Sequence, residues 1–126
     1  MRRDSFERGM KTRRKVLGDE WVDRAERTKT QFNSEFQELI TRYAWDEIWN
    51  RKGLDRRTRR MLVITTMVAL GRWEEYQLHV RAALQSKDLS EDDLKEILLQ
   101  ATVYCGIPAA NHAFKEARAV DRKSVV

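Results

Sequence analysis

The sequence has one cysteine, one proline and only five glycines in 126 residues. With Cys105 as its lone thiol, neither an internal disulfide nor a thiol-pair redox site can form within one chain. So few chain breakers argue against a sheet protein, which needs frequent tight turns. Long apolar runs are also missing. The longest, over residues 61–70, is interrupted by Thr65 and Thr66 and falls far short of the roughly 20 residues needed to cross a bilayer. The N-terminus reads Met1-Arg2-Arg3-Asp4 with no apolar segment behind it, so no signal peptide is expected and the cytoplasm is the expected location. There is no phosphate-binding glycine loop, no Gly-x-Ser-x-Gly elbow and no dinucleotide fingerprint. Two histidines, with neither His-Glu-x-x-His nor paired cysteines, offer no metal-ligand spacing, and no metal is expected.

Charge is what the chain has in abundance. Charged residues make up 36%, hydrophobic residues 41%, and the net charge is +5. Arginine and lysine concentrate in residues 2–15 and 51–60, each stretch interleaved with Asp or Glu. Interleaved signs on a helix read as a solvated face laced with ion pairs, and no nucleic-acid motif accompanies them. A basic surface also suits a small anionic substrate.

Apolar residues recur at three- and four-residue spacing almost throughout, and no segment alternates with period two. The expected fold is an all-α bundle of about six helices in a single domain, 1–126, with an N-terminal helical arm (1–27) ahead of a helical core (28–126). In the arm, Phe6, Met10, Val16 and Leu17 form a thin stripe ending near Gly18, followed by a short helix around Trp21, Val22 and Ala25. So thin a stripe packs across the domain or onto a neighbouring subunit. Residues 31–50 read as one helix presenting Phe32, Phe36, Leu39, Ile40, Tyr43 and Ile48, with Trp45 and Trp49 widening the face. Asp55 can cap the next helix, whose residues 61–70 are apolar nearly all round, the pattern of a buried central helix. Gly71 permits a bend before a helix over 73–85. Ser90 and Asp93 resemble a capping box opening a helix over 91–104, and Pro108 suits the first turn of a last helix after Gly106.

Chemistry concentrates in Gly71-Arg72-Trp73-Glu74-Glu75-Tyr76-Gln77-Leu78-His79. Glu75 and His79 lie one helical turn apart on one face. A carboxylate there orients the imidazole and favours its protonated form, giving a proton donor near neutral pH. The same spacing also describes an ordinary surface contact. Arg59 and Arg60, ahead of the apolar helix, can each grip a carboxylate with a two-pronged guanidinium, or simply be solvated. Trp45, Trp49 and Tyr43 can line a pocket or a subunit contact, or pack in the core. His112 follows Asn111 in the last helix, and Cys105 reads as a buried small residue.

The order Gly53-Leu54-Asp55-Arg56-Arg57-Thr58-Arg59, Ala69-Leu70-Gly71, Glu74-Glu75, His79 and Tyr104-Cys105-Gly106-Ile107-Pro108-Ala109-Ala110-Asn111 resembles the carboxymuconolactone decarboxylase family. Val16-Leu17-Gly18-Asp19 and the stretch from Phe36 through Trp49 extend the likeness over nearly the whole chain. The resemblance implies an alkylhydroperoxidase-like helical fold. Peroxidase members carry Cys-x-x-Cys four residues before the histidine; here those places hold Arg72 and Glu75, which removes thiol–disulfide chemistry from that site. Decarboxylase members convert 4-carboxymuconolactone to 4-oxoadipate enol-lactone and carbon dioxide without a cofactor. The resemblance then implies His79 as proton donor or oxyanion partner, with Glu75, or Glu74 if the helix is rotated, orienting it or passing the proton. It implies Arg59 and Arg72 as carboxylate anchors, Trp45 and His112 as further substrate contacts, and a ring-shaped homo-oligomer, a trimer or hexamer. Another lactone or keto-acid decarboxylase or isomerase on this scaffold is the alternative, and a basic nucleic-acid-binding protein is a remoter one.

Overall fold

A computed structural model describes the backbone of residues 2–125 and the side chains of residues 2–120. Among the described residues seven α-helices follow one another: α1 (Arg2–Leu17), α2 (Asp19–Thr28), α3 (Ser34–Ile40), α4 (Arg56–Leu70), α5 (Trp73–Ser86), α6 (Glu91–Cys105) and α7 (Ile107–Val125). Between α3 and α4 the backbone widens into a π-helical segment, Thr41–Ile48. No strand occurs among the described residues. The protein is all-α, and its contacts divide it into two compact units, Met1–Leu54 and Asp55–Val126.

In the first unit the arm docks by its polar face. Ser5, Arg8 and Thr12 stand about one turn apart on α1 and meet Asp46 and Asn50, one turn apart on the facing segment. Ser5 Oγ donates to Asp46 at 2.8 Å, both prongs of Arg8 donate to the same carboxylate at 3.1 Å, and Thr12 Oγ1 donates to Asn50 at 2.7 Å. This explains how so few apolar residues hold the arm. Gly9 allows the close approach: a Cβ there would stand 2.1 Å from the Thr41 carbonyl oxygen. Gly9→Ala is therefore expected to destabilise this unit by about 3 kcal/mol, since backbone on both sides must move. Urea denaturation read by tryptophan fluorescence checks it, because all but one tryptophan precede Leu54.

The expected single helix over 31–50 is corrected in two places. Residues 30–33 form a turn, closed by Thr30 N–H donating to Asn33 Oδ1 at 2.9 Å and Asn33 N–H donating to Thr30 Oγ1 at 3.3 Å. From Thr41 the hydrogen bonds lengthen their span, as in Trp49 N–H to the Ala44 carbonyl at 2.9 Å. Phe32, at 99% exposure, lies outside the helix and packs on nothing within the described residues.

In the second unit, Ile64, Val68, Tyr76, Val80, Leu98, Ala113 and Val120 form one buried cluster drawn from α4, α5, α6 and α7. Asp55 caps α4, accepting from Thr58 N–H at 2.8 Å, and Gly71 ends it in the left-handed conformation (φ 69°) that spares a Cβ clash. The capping box on α6 is complete, with Ser90 and Asp93 bonding each other's backbone at 2.9 and 3.0 Å. The sequence expectation for residues 61–70 needs correction: α4 buries Arg60, Ile64 and Val68 on one face, while Leu62 and Leu70 are exposed. Cys105 is half-buried and its thiol is free.

Candidate active site

Helix α5 places the central histidine. Its rotation is fixed by Tyr76 and Val80, both fully buried, and by the Tyr76 hydroxyl donating to the Ala113 carbonyl of α7 at 2.8 Å. Burial pushes the Tyr76 phenol well above its ordinary range, so this donor keeps its proton. With Tyr76 turned inward, Glu74 and Glu75 fall on the exposed side of the first turn, where the helix dipole favours carboxylates. His79, one turn beyond Glu75, is half-buried, and its Nδ1 is enclosed without a hydrogen-bond partner.

Burial is the largest influence on the His79 ring, and it disfavours the charged form. The Arg60 guanidinium adds to it, and the Glu75 carboxylate opposes both. The net effect lowers the pKa from 6.5 to about 4. Glu75 acts in the direction expected from its spacing, but desolvation wins. The ring of the free protein is a neutral imidazole at pH 7, not the imidazolium anticipated from a Glu–His pair.

Beneath this helix lies an ion cluster. Arg60 is fully buried and its Nε donates to Asp88 Oδ2 at 2.7 Å, while Arg56 donates to both oxygens of Asp88 at 2.6 and 2.9 Å. The two guanidiniums hold the Asp88 carboxyl down to about 2. Sequence reasoning weighed Arg60 beside Arg59 and settled on Arg59; it did not find Asp88. Helix phase carried a usable signal for Arg60, which stands four residues before Ile64 on the buried stripe. Asp88, in the α5–α6 loop, carries no local signal, because its partners lie 28 and 32 positions away.

Arg59, Arg72, His112 and Trp45 were also expected at the site. Arg59 is half-buried on α4, and Arg72 is exposed at the start of α5. His112 stacks on Trp73 with ring centroids 4.1 Å apart, and its Nε2 stands 3.2 Å from Glu116. Glu116 also accepts from the Gln77 amide. These contacts join α5 to α7. Trp45 belongs to the first unit, where it stacks on Trp49 at 5.4 Å. A groove of about 480 Å³, lined by Leu84, Leu94, Leu98 and Phe114 with Lys95 and Arg118, includes none of the expected site residues. No cluster of three or more His, Cys, Asp or Glu side chains suited to a metal occurs among the described residues. The structure thus brings together His79, Glu75 and Arg60, a compact set of one neutral base, one anion and one cation.

The profile of the carboxymuconolactone decarboxylase family matches residues 34–119. A 4-carboxymuconolactone decarboxylase of Acinetobacter baylyi is 39% identical over 115 residues, covering 91% of this chain and 85% of the relative. A nitrosuccinic acid decarboxylase of Metarhizium robertsii is 40% identical over 113 residues, covering 90% and 78%. A 4-carboxymuconolactone decarboxylase of Pseudomonas putida is 54% identical over 39 residues, covering 31% of this chain and 81% of the relative.

Proposed function

Because the chain belongs to the carboxymuconolactone decarboxylase family, we propose that it decarboxylates 4-carboxymuconolactone to 4-oxoadipate enol-lactone, with His79 as the proton carrier. The observation that carries the assignment of His79 is its enclosed, unpartnered Nδ1. An orphaned buried polar atom costs about 1–3 kcal/mol, and a substrate oxygen would give it a partner.

The chemistry asks little of the protein beyond placement and one proton. The departing carboxylate sits on a ring carbon conjugated through the double bond to the lactone carbonyl. As the carbon–carbon bond breaks, its electron pair runs into that carbonyl and leaves a dienolate, so the substrate is its own electron sink. One proton then joins the ring carbon next to the carbonyl. No cofactor enters this balance: a dianion plus one proton gives carbon dioxide and a monoanion. His79 is neutral before binding, and the two negative charges of the substrate favour the imidazolium, so the ring takes up its proton with the substrate. It then donates to the oxyanion or delivers to carbon. Glu75, at the solvent end of the face, resupplies the proton from water, with Glu74 beside it as the substitute. Arg59 and Arg72 are the proposed carboxylate anchors, and His112 a further substrate contact.

A homo-oligomer, a trimer or hexamer, completes the proposal. Val103, Tyr104 and Ile107 are 73%, 80% and 72% exposed in a row, and burying them against another copy removes that apolar surface from water. A cytoplasmic location is proposed with it; no helix among the described residues is long and apolar enough to cross a membrane.

The Metarhizium relative supports a second reading. Nitrosuccinic acid also carries a carboxylate on a carbon whose electrons can pass into an adjacent acceptor, there a nitro group. Parallel assays of carbon dioxide release from both acids decide between them. The proposal expects kcat/KM at least about tenfold higher for the lactone, equivalent to about 1.4 kcal/mol of transition-state preference. The reverse order selects the second reading.

A further inference from the structure

An apolar row in the first unit takes part in none of the steps above. Phe36, Leu39 and Tyr43 follow at spacings of three and four residues along α3 and the start of the π-helical segment, and each is more than half exposed. Phe32, just ahead of α3, adds an exposed ring on the turn that Thr30 and Asn33 close with reciprocal hydrogen bonds. The opposite side of the same stretch is already taken. Thr41 is fully buried there, and α1 packs against it through Gly9. A solvated helix face ordinarily carries polar side chains, so three rings and a leucine in sequence mark an interaction surface. At about 200 Å² for each large side chain, the four expose on the order of 500 Å² in one copy. Two such faces brought together remove about 1,000 Å² from water, the size at which a specific interface becomes stable.

Charge identifies what covers this face. Glu35 and Arg42 are seven residues, about two turns, apart and so flank the row on one side. Neither forms an ion pair among the described residues, although Glu38 stands one turn before Arg42. When two copies of the row meet antiparallel, about a two-fold axis beside Leu39, Phe36 of each copy faces Tyr43 of the other. Glu35 of each then faces Arg42 of the other. The parallel alternative sets Glu35 against Glu35 and Arg42 against Arg42, like charges at both ends. Self-complementarity under a two-fold rotation is what a closed contact between identical chains requires. Ion pairs at the rim of such a contact add little affinity but fix its direction.

We propose that this face is an interface between two copies of the chain, packed antiparallel through Phe36, Leu39 and Tyr43 and keyed by two Glu35–Arg42 ion pairs. It rests on the homo-oligomer reading, not on the decarboxylase one, and gives that assembly a two-fold contact in the first unit besides the row at Val103, Tyr104 and Ile107 in the second.

Sedimentation velocity counts the subunits directly. Leu39→Asp, which sets two carboxylates in apolar surroundings beside the axis, should halve the subunit number of the parent assembly. Its circular dichroism should not change, because Leu39 is exposed. Should that variant fail to fold, Glu35→Arg and Arg42→Glu test the same contact from its rim. Each sets like charges face to face and should weaken the two-fold association at least about tenfold. The double variant Glu35→Arg with Arg42→Glu should recover the parent subunit number, and so should an equimolar mixture of the two single variants. Packing of the face on another part of the chain, or on an unrelated protein, is not repaired by a double reversal. A subunit number that Leu39→Asp leaves unchanged overturns the proposal while the homo-oligomer reading stands. Single reversals that weaken nothing, or a double variant that stays dissociated, overturn the antiparallel pairing. A parent that sediments as a monomer overturns the homo-oligomer reading and this interface together.

Discussion

Replacing His79 with alanine is expected to lower kcat for 4-carboxymuconolactone by about 100- to 10,000-fold, the range typical of a lost general acid. KM should change much less. In the proposed mechanism other groups anchor the substrate's carboxylates, and the proton is needed only once the carbon–carbon bond has begun to break. An interaction made mainly in the transition state lowers kcat and kcat/KM together, whereas a lost ground-state contact raises KM alone. The measured pattern therefore separates a proton carrier from a substrate anchor. Folding should survive the change, because the ring is half-buried and its Nδ1 has no partner to lose. Turnover within twofold of the parent would remove His79 from the mechanism.

The second large effect falls on stability. Asp88→Ala is expected to cost the folded state about 3 kcal/mol, because it deletes the carboxylate to which buried Arg60 and its neighbour Arg56 donate. The pH dependence gives this loss a signature. The Asp88 carboxyl is depressed from 3.8 to about 2, so the folded state favours its ionised form. That contribution, about 2 kcal/mol, is full above pH 4 and is lost as pH falls through about 2. Urea midpoints of parent and variant should therefore differ most at neutral pH and draw together between pH 4 and 2. A gap that stays constant down to pH 2 would mean that Asp88 contributes through its shape and not its charge.

Much of the fold was legible because helices advertise themselves locally. Asp55, Gly71 and the Ser90–Asp93 box act at the ends assigned to them, since a cap involves residues within one turn of each other. The failures share a cause. The π-helical widening at Thr41–Ile48 comes with close packing of α1 at Gly9, and nothing within that segment's own residues announces it. Residues 61–70 looked buried all round because periodicity reports what a helix can bury, whereas exposure depends on which neighbours arrive.

The site divides in the same way. The Glu75–His79 pair shares one face of α5, as a four-residue spacing requires. Its protonation state ran opposite to the sequence expectation, because burial and a cation from α4 outweigh the carboxylate one turn away. Both opposing influences are tertiary. The stacking of His112 on Trp73, 39 positions away in sequence, is likewise tertiary and has no local signal. Local spacing thus picked out the proposed proton carrier, and long-range packing decided its charge.

The most direct measurement is turnover of freshly generated 4-carboxymuconolactone in deuterium oxide, with carbon dioxide release and product NMR followed together for the parent and for His79→Ala. The parent should release carbon dioxide and place one deuteron on the ring carbon next to the lactone carbonyl, in step with turnover, while the variant should do neither at a comparable rate. No carbon dioxide from the well-folded parent, or equal rates and equal labelling from both proteins, would contradict decarboxylation with His79 as the proton carrier.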